Sequence, residues 1–156
     1  MRHTVSVTVE NKFGVLARVA GLFSARGYNI ASLAVSETLD PSISYMTIVV
    51  DAKDEAILEQ IKKQLNKLVD VITVTDFTKK EHLDRELVLV KVRCGAKVKA
   101  KLEALLKKHI GALVQCKDDT AIIEAVGGQQ EIKALLEALQ PFSITELIRT
   151  GRIALA

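Results

Sequence analysis

The chain is predicted to be α+β, built from two ferredoxin-like βαββαβ units in tandem. Three observations carry that prediction: the hydrophobic period switches between two and about 3.6 residues in the same order twice, a charged segment separates the two rounds, and glycines or a proline turn mark element ends. The expected division is a first unit over residues 1–76, a connector over 77–86 and a second unit over 87–156.

From Thr4 to Val9, Val5, Val7 and Val9 alternate with Thr4, Ser6 and Thr8, the pattern of a half-buried strand ending at Glu10-Asn11. Val15, Leu16, Val19, Leu22 and Phe23 then recur at three- and four-residue steps, which predicts a helix starting near Gly14 and stopping at Gly27, a left-handed cap. A strand over Asn29–Glu37 is followed by the turn Asp40-Pro41-Ser42 and a strand over Ser44–Val50, which pair as a hairpin. A helix near Asp54–Lys67, with Ile57, Leu58, Ile61 and Leu65 on one face, and a strand near Val69–Thr75 complete the first round.

After the connector Thr78–Glu86 the second round reads as strand Leu87–Arg93, helix Ala96–His109, strands Ala112–Cys116 and Ala121–Val126, helix Gln129–Leu139 and strand Ser143–Arg149. Each unit lays two helices on one face of a four-stranded antiparallel sheet. Half of a 156-residue chain makes a thin core, so packing between units or between subunits is expected, and an exposed edge strand favours pairing with a twin.

A composition that is 49% hydrophobic and 26% charged belongs to a folded domain and not to a disordered chain. Lys and Arg number 22 against 19 Asp and Glu, a net charge of +3 too balanced to demand nucleic acid. The basic residues at Lys79-Lys80 and along Lys97, Lys99, Lys101, Lys107 and Lys108 read as a solvated helix face, and 4% aromatics leave little to stack on bases. No apolar run reaches a membrane span, and Met1-Arg2-His3 leads straight into a strand, so a cytoplasmic protein is expected. Cys94 and Cys116 are read as buried small hydrophobes, and His3, His82 and His109 as exposed or capping residues, since none has a spaced partner for a triad or metal site. No catalytic and no metal-ligating residue is expected.

The informative stretch is Val9 to Leu33. The first turn of its helix carries backbone N–H groups at Gly14, Val15 and Leu16 and a positive dipole end, which together suit a carboxylate or phosphate, and a glycine there permits close approach. Asn11 on the same turn, and Asn29 at the start of the next strand, offer amides that both donate and accept. The plainer alternative makes Asn11 a turn residue or N-cap and Gly14 a loop glycine, and spacing alone favours it. An acylphosphatase-like enzyme would need a phosphate cradle, whereas Arg18 falls on the face away from Val15, Val19 and Leu22.

The run Asn11-x-x-Gly14-Val15-Leu16-x-Arg18, the element Gly27-Tyr28-Asn29-Ile30, then Met46-Thr-Ile-Val-Val50, Gln64-Leu-x-Lys-Leu-Val-Asp-Val71, Arg85-Glu-Leu87 and Arg149-Thr-Gly151 resemble the regulatory small subunit of acetolactate synthase (acetohydroxyacid synthase) over nearly the whole chain. The first turn alone resembles the wider class of ACT domains, which bind amino acids. The resemblance implies that the first unit is an ACT domain and that the chain is non-catalytic. It implies a homodimer formed through the ACT domains, which activates a catalytic subunit and confers feedback inhibition by valine or another branched-chain amino acid. Thiamine diphosphate, Mg and FAD are implied for the catalytic partner and no cofactor for this chain; no nucleic acid or membrane partner is implied. By position, Asn11, Gly14, Val15 and Leu16 of one chain, with Asn29 and Ile30 of the paired chain, line the effector site. A free-standing amino-acid sensor acting on another enzyme or on transcription is the alternative.

Two positions depart from the family: Phe13, where proline or a small or polar residue is commoner, and Tyr45, in place of a common arginine. The chain stops at Ala156, short of a frequent basic tail. In the second unit Cys94-Gly95-Ala96-Lys97 lacks the Asn-x-x-Gly turn, so that unit is expected to serve dimerisation and docking, not the same ligand.

Overall fold

The structure is a computed structural model that describes residues 2–52, 55–78 and 80–156; Met1, Lys53, Asp54 and Lys79, and the side chains of Ala96 and Lys97, lie outside the described set. It contains the expected α+β fold as two compact units, one of residues 1–83 with 152–156 and the other of residues 84–151.

In the first unit the order is β1 (Arg2–Glu10), α1 (Val15–Ser24), β2 (Asn29–Glu37), β3 (Ile43–Asp51), α2 (Glu55–Leu65) and β4 (Val71–Asp76). The antiparallel sheet runs β2-β3-β1-β4, so β2 is an edge strand. Val5, Val7 and Val9 of β1 are buried with Val15, Val19 and Phe23 of α1 and Leu58, Ile61 and Leu65 of α2, which fixes the register because a one-residue slip would turn the valines outward. Thr4, Ser6 and Thr8 line the opposite face. In register with them stand Thr47 and Tyr45 of β3, while Ser32 and Ser36 of β2 are opposite Val49 and Tyr45.

That hydroxyl-bearing face holds the end of the chain. Arg152 donates from its backbone N–H to Ser32 Oγ at 3.3 Å and from Nη1 to Thr4 Oγ1 at 3.2 Å, and the Tyr45 hydroxyl donates to the Ala154 carbonyl at 2.9 Å. A short strand β9 (Ile153–Leu155), which the sequence pattern does not announce, thus belongs with the first unit although its residues end the second round. Three residues are too few to establish a period.

The second unit repeats the topology with β5 (Leu83–Arg93), α3 (Ala96–Leu106), β6 (Ala112–Lys117), β7 (Thr120–Gly127), α4 (Gln129–Leu139), a 3-10 turn at Gln140–Phe142 and β8 (Ile144–Arg149), in the order β6-β7-β5-β8. Strand β5 begins four residues earlier than the sequence pattern suggests, inside the segment read as connector, because its charged residues have partners: Glu86 is buried and ion-paired with Arg149 of β8. Thr150 reinforces the junction, its Oγ1 accepting the Leu87 N–H at 3.1 Å and its N–H donating to the Leu87 carbonyl at 3.1 Å.

Two expectations are corrected. His3 is buried, not exposed, with Nδ1 3.1 Å from Thr78 Oγ1. Cys116 is exposed, whereas Cys94 is buried as expected; burial and the neighbouring Cys116 thiol push the Cys94 thiol up. No helix among the described residues is long and apolar enough to cross a membrane.

Candidate functional site

The stretch singled out in the sequence forms one end of the first unit. Strand β1 finishes with the Glu10 N–H donating to the Asp70 carbonyl at 2.9 Å, and the Asn11 N–H donates to the Ser42 carbonyl at 2.7 Å. The Asn11 side chain reaches the same β2–β3 hairpin, its Nδ2 donating to the Pro41 carbonyl at 2.9 Å and to Glu37 Oε1 at 3.3 Å. Asn11 is therefore a turn residue in the sense of the plainer reading, but its amide carbonyl has no partner among the described residues and remains an acceptor suited to an ammonium group.

Gly14 stands at the N-cap of α1 with φ 80° and ψ −2°, a left-handed conformation that carries a steric cost for any residue with a Cβ. A Cβ here would also lie 3.2 Å from Arg18 Nη1. The main-chain N–H groups of Gly14 and Leu16 have no acceptor among the described residues, whereas that of Val15 donates to the Lys12 carbonyl at 3.3 Å. The side chains of the pair divide: Val15 is 3% exposed and packed in the core, while Leu16 is 44% exposed. Of these two residues, only Leu16 has side-chain surface to offer a ligand.

Arg18 is the group sequence reading passed over. One turn along α1 from Gly14, it returns over the helix start and is held there by Asp70, with Nε 2.9 Å and Nη2 2.8 Å from Asp70 Oδ2. The signal available was the i, i+4 spacing from Gly14 to Arg18. A half-exposed guanidinium beside free helix N–H groups adds to the local positive potential, moderated by Asp70.

Asn29 and Ile30 lie elsewhere within the chain. They open β2, whose other end is Glu37, the residue beside Asn11. Asn29 Nδ2 donates to Asp51 Oδ2 at 3.3 Å, and Ile30 packs half-buried on the core. One protomer thus gathers Asn11, Gly14, Val15 and Leu16 but places Asn29 and Ile30 at the far end of the edge strand.

The second unit has no equivalent. The glycine before α3, Gly95, has φ −69°, an ordinary extended conformation, and Gly128 before α4 donates its N–H to Glu131 Oε2 at 2.8 Å, which closes that helix start with an internal carboxylate. Among the described residues no group of three or more His, Cys, Asp or Glu side chains is placed to hold a metal ion.

A βαββαβ unit with a glycine-led helix start is the plan of an ACT domain, and residues 5–73 match the family model described as an AHAS small subunit-like ACT domain. Residues 85–156 match a second, described as the small subunit of acetolactate synthase. The chain is 41% identical over 155 residues to a probable acetolactate synthase small subunit of Archaeoglobus fulgidus, an alignment covering 99% of this chain and 96% of that one. It is 42% identical over 156 residues to the acetolactate synthase small subunit of Aquifex aeolicus, covering 99% and 80%. Its fold is similar to the crystal structure of the small subunit from Thermotoga maritima, with a TM-score of 0.86, 36% identity and coverage of 99% and 96%. The chain belongs to the acetolactate synthase small-subunit family. This is the regulatory subunit of that enzyme and not its catalytic one.

Proposed function

We infer that the chain activates the large, catalytic subunit of acetolactate synthase and makes it sensitive to feedback inhibition by a branched-chain amino acid, with valine the first candidate. The observation that supports this reading is that Asn29 and Ile30 open one edge strand, β2, whose other end, Glu37, is bonded to Asn11. Pairing two β2 edges antiparallel would satisfy their free main-chain groups and bring Asn29 and Ile30 of one chain beside Asn11, Gly14 and Leu16 of the other. The effector's carboxylate then meets the Gly14 and Leu16 N–H groups under Arg18, its ammonium meets the Asn11 carbonyl and the Asn29 amide oxygen, and its side chain rests on Leu16 and Ile30. Val15 supports this arrangement from the core. One methylene in such a pocket is worth about 1–3 kcal/mol, so related aliphatic effectors are graded and not excluded.

The chemistry of the synthase stays on the large subunit, where thiamine diphosphate, Mg and FAD are expected. Effector inhibits because it binds one geometry of the paired units more tightly than the activating one. The test is calorimetric titration of the full chain with valine, isoleucine and leucine, with lysine as control. Saturable heat with a branched-chain amino acid alone supports the reading; no heat with any of them removes the effector site from it.

A further inference from the structure

Strand β2 carries one irregularity, directly after Asn29 and Ile30. Its register pairs Asn29 with Asp51 and Ile30 with Val50, then Ser32 with Val49 and Leu33 with Ile48, so Ala31 is an extra residue without a counterpart on β3. Residues three apart on a regular strand point to opposite faces. The bulge at Ala31 resets that alternation: Ile30 and Leu33 both pack on the core, while Asn29 and Ser32 both stand in rows of the hydroxyl face. With Leu33 kept in the core, a straight ladder would turn Ile30 out to the hydroxyl face and Asn29 in towards the core.

A bulge interrupts the ladder, and on an edge strand only one neighbouring strand holds it in the protomer. The residue after this bulge is held in addition by the end of the chain. Thr4, Val49 and Ser32 form one row across β1, β3 and β2. Arg152 spans that row, its Nη1 donating to Thr4 Oγ1 at 3.2 Å and its backbone N–H to Ser32 Oγ at 3.3 Å, with Val49 between them only 3% exposed. The next row on the same face is Arg2, Asp51 and Asn29, in which Asn29 donates to Asp51. The terminal segment is fastened a second time at Ala154, a buried residue whose carbonyl accepts the Tyr45 hydroxyl.

We propose that Arg152 and Ser32 clamp the Ala31 bulge and thereby set the orientation of Asn29 and Ile30, so that effector binding and the docking of residues 152–156 are linked; the proposal deepens the effector reading above and rests on it. Arg152 is a positioning residue that acts through Ser32 and the bulge, not by contact with the effector. When the clamp is open, the edge strand presents Asn29 and Ile30 in more than one orientation, and apparent affinity falls with the fraction that is competent. Linkage is reciprocal: whatever factor the clamp contributes to effector affinity, bound effector returns to closure of the clamp.

The experiment combines calorimetric valine titration with amide exchange, on the full chain, on Ser32→Ala, on Ser32→Thr, which keeps a hydroxyl acceptor, and on a chain ending at Gly151. Ser32→Ala deletes only a half-buried hydroxyl, so it decides the matter even where the shortened chain fails to fold. Expected are a loss of valine affinity of about fivefold or more in Ser32→Ala and in the shortened chain, and recovery to within about twofold of the parent in Ser32→Thr. In the parent, valine should slow exchange of residues 152–156 by a comparable factor and more than it slows exchange in β6; in Ser32→Ala that selective protection should vanish. A merely structural bond would shift the unfolding midpoint and leave the valine affinity of the folded chain unchanged. Undiminished affinity in Ser32→Ala, or exchange at 152–156 that ignores valine in a parent that binds it, overturns the proposal and leaves the effector reading standing. A parent chain that gives no valine heat overturns the effector reading, and this proposal with it.

Discussion

The hydroxyl of Tyr45 and the carbonyl of Ala154 are hydrogen-bonded at 2.9 Å across a sequence separation of 109 residues. The Tyr45 phenol lies on the hydroxyl face of the first sheet, where Arg152 is bonded to Ser32 and Thr4. Tyr45 thereby supplies a fastening for the last residues of the chain.

Tyr45→Phe keeps the ring and deletes that bond. A net cost of about 1 kcal/mol is expected in urea unfolding, with faster amide exchange confined to residues 152–156. Equal exchange in both proteins would show that the segment is held without Tyr45.

Gly14→Ala places a Cβ at φ 80° and 3.2 Å from Arg18 Nη1, so about 1–2 kcal/mol of stability and most of the effector affinity should be lost together. Gly21→Ala is the control: it lies inside α1 with open space around it, and alanine there should stabilise by about 0.5–1 kcal/mol without altering effector heat. Matching behaviour of the two variants in calorimetry would sink the special role of Gly14.

Asn29→Ala should weaken effector binding while activation of the large subunit persists. The side chain is exposed and bonded only to Asp51 among the described residues, so stability should move by less than about 0.5 kcal/mol. Undiminished valine heat would remove Asn29 from the site.

Arg149→Ala leaves the buried Glu86 carboxylate without its guanidinium and should cost the second unit about 2 kcal/mol. Adding Glu86→Gln should recover part of that loss. Strict additivity in the denaturation cycle would mean the pair is not coupled.

Asp76 gives the acid limb of stability. Burial pushes its carboxyl up, but hydrogen bonds from Thr78 and the Lys62 ammonium outweigh this and hold it below its ordinary value of 3.8. A depressed folded value means stability that is present above about pH 4 and lost as pH falls through the folded pKa. Asp76→Asn should therefore flatten the fall in stability below about pH 4. An unchanged acid limb would assign the titration to other carboxylates.

Both βαββαβ rounds were legible because each strand and helix announces its own period: Val5, Val7 and Val9 in β1, and Val15, Val19, Leu22 and Phe23 in α1, have one arrangement that buries them all. The glycine that ends α1 was legible for a similar reason: Gly27, read as a left-handed helix stop, has φ 69°, whereas the left-handed φ of 80° at Gly14 was not read from the sequence. The sequence by itself therefore determined the fold class, the family and the place where α1 starts. Tertiary structure alone decided that Val15 turns into the core while Leu16 stays outside, and that Arg18 folds back beside Gly14 under the hold of Asp70. It also decided that Cys116 is exposed, and that the last five residues cross to the first unit. These are long-range facts: Asp70 lies 52 residues from Arg18 and Ala154 lies 109 from Tyr45, and no local period encodes which distant partner satisfies a given polar group.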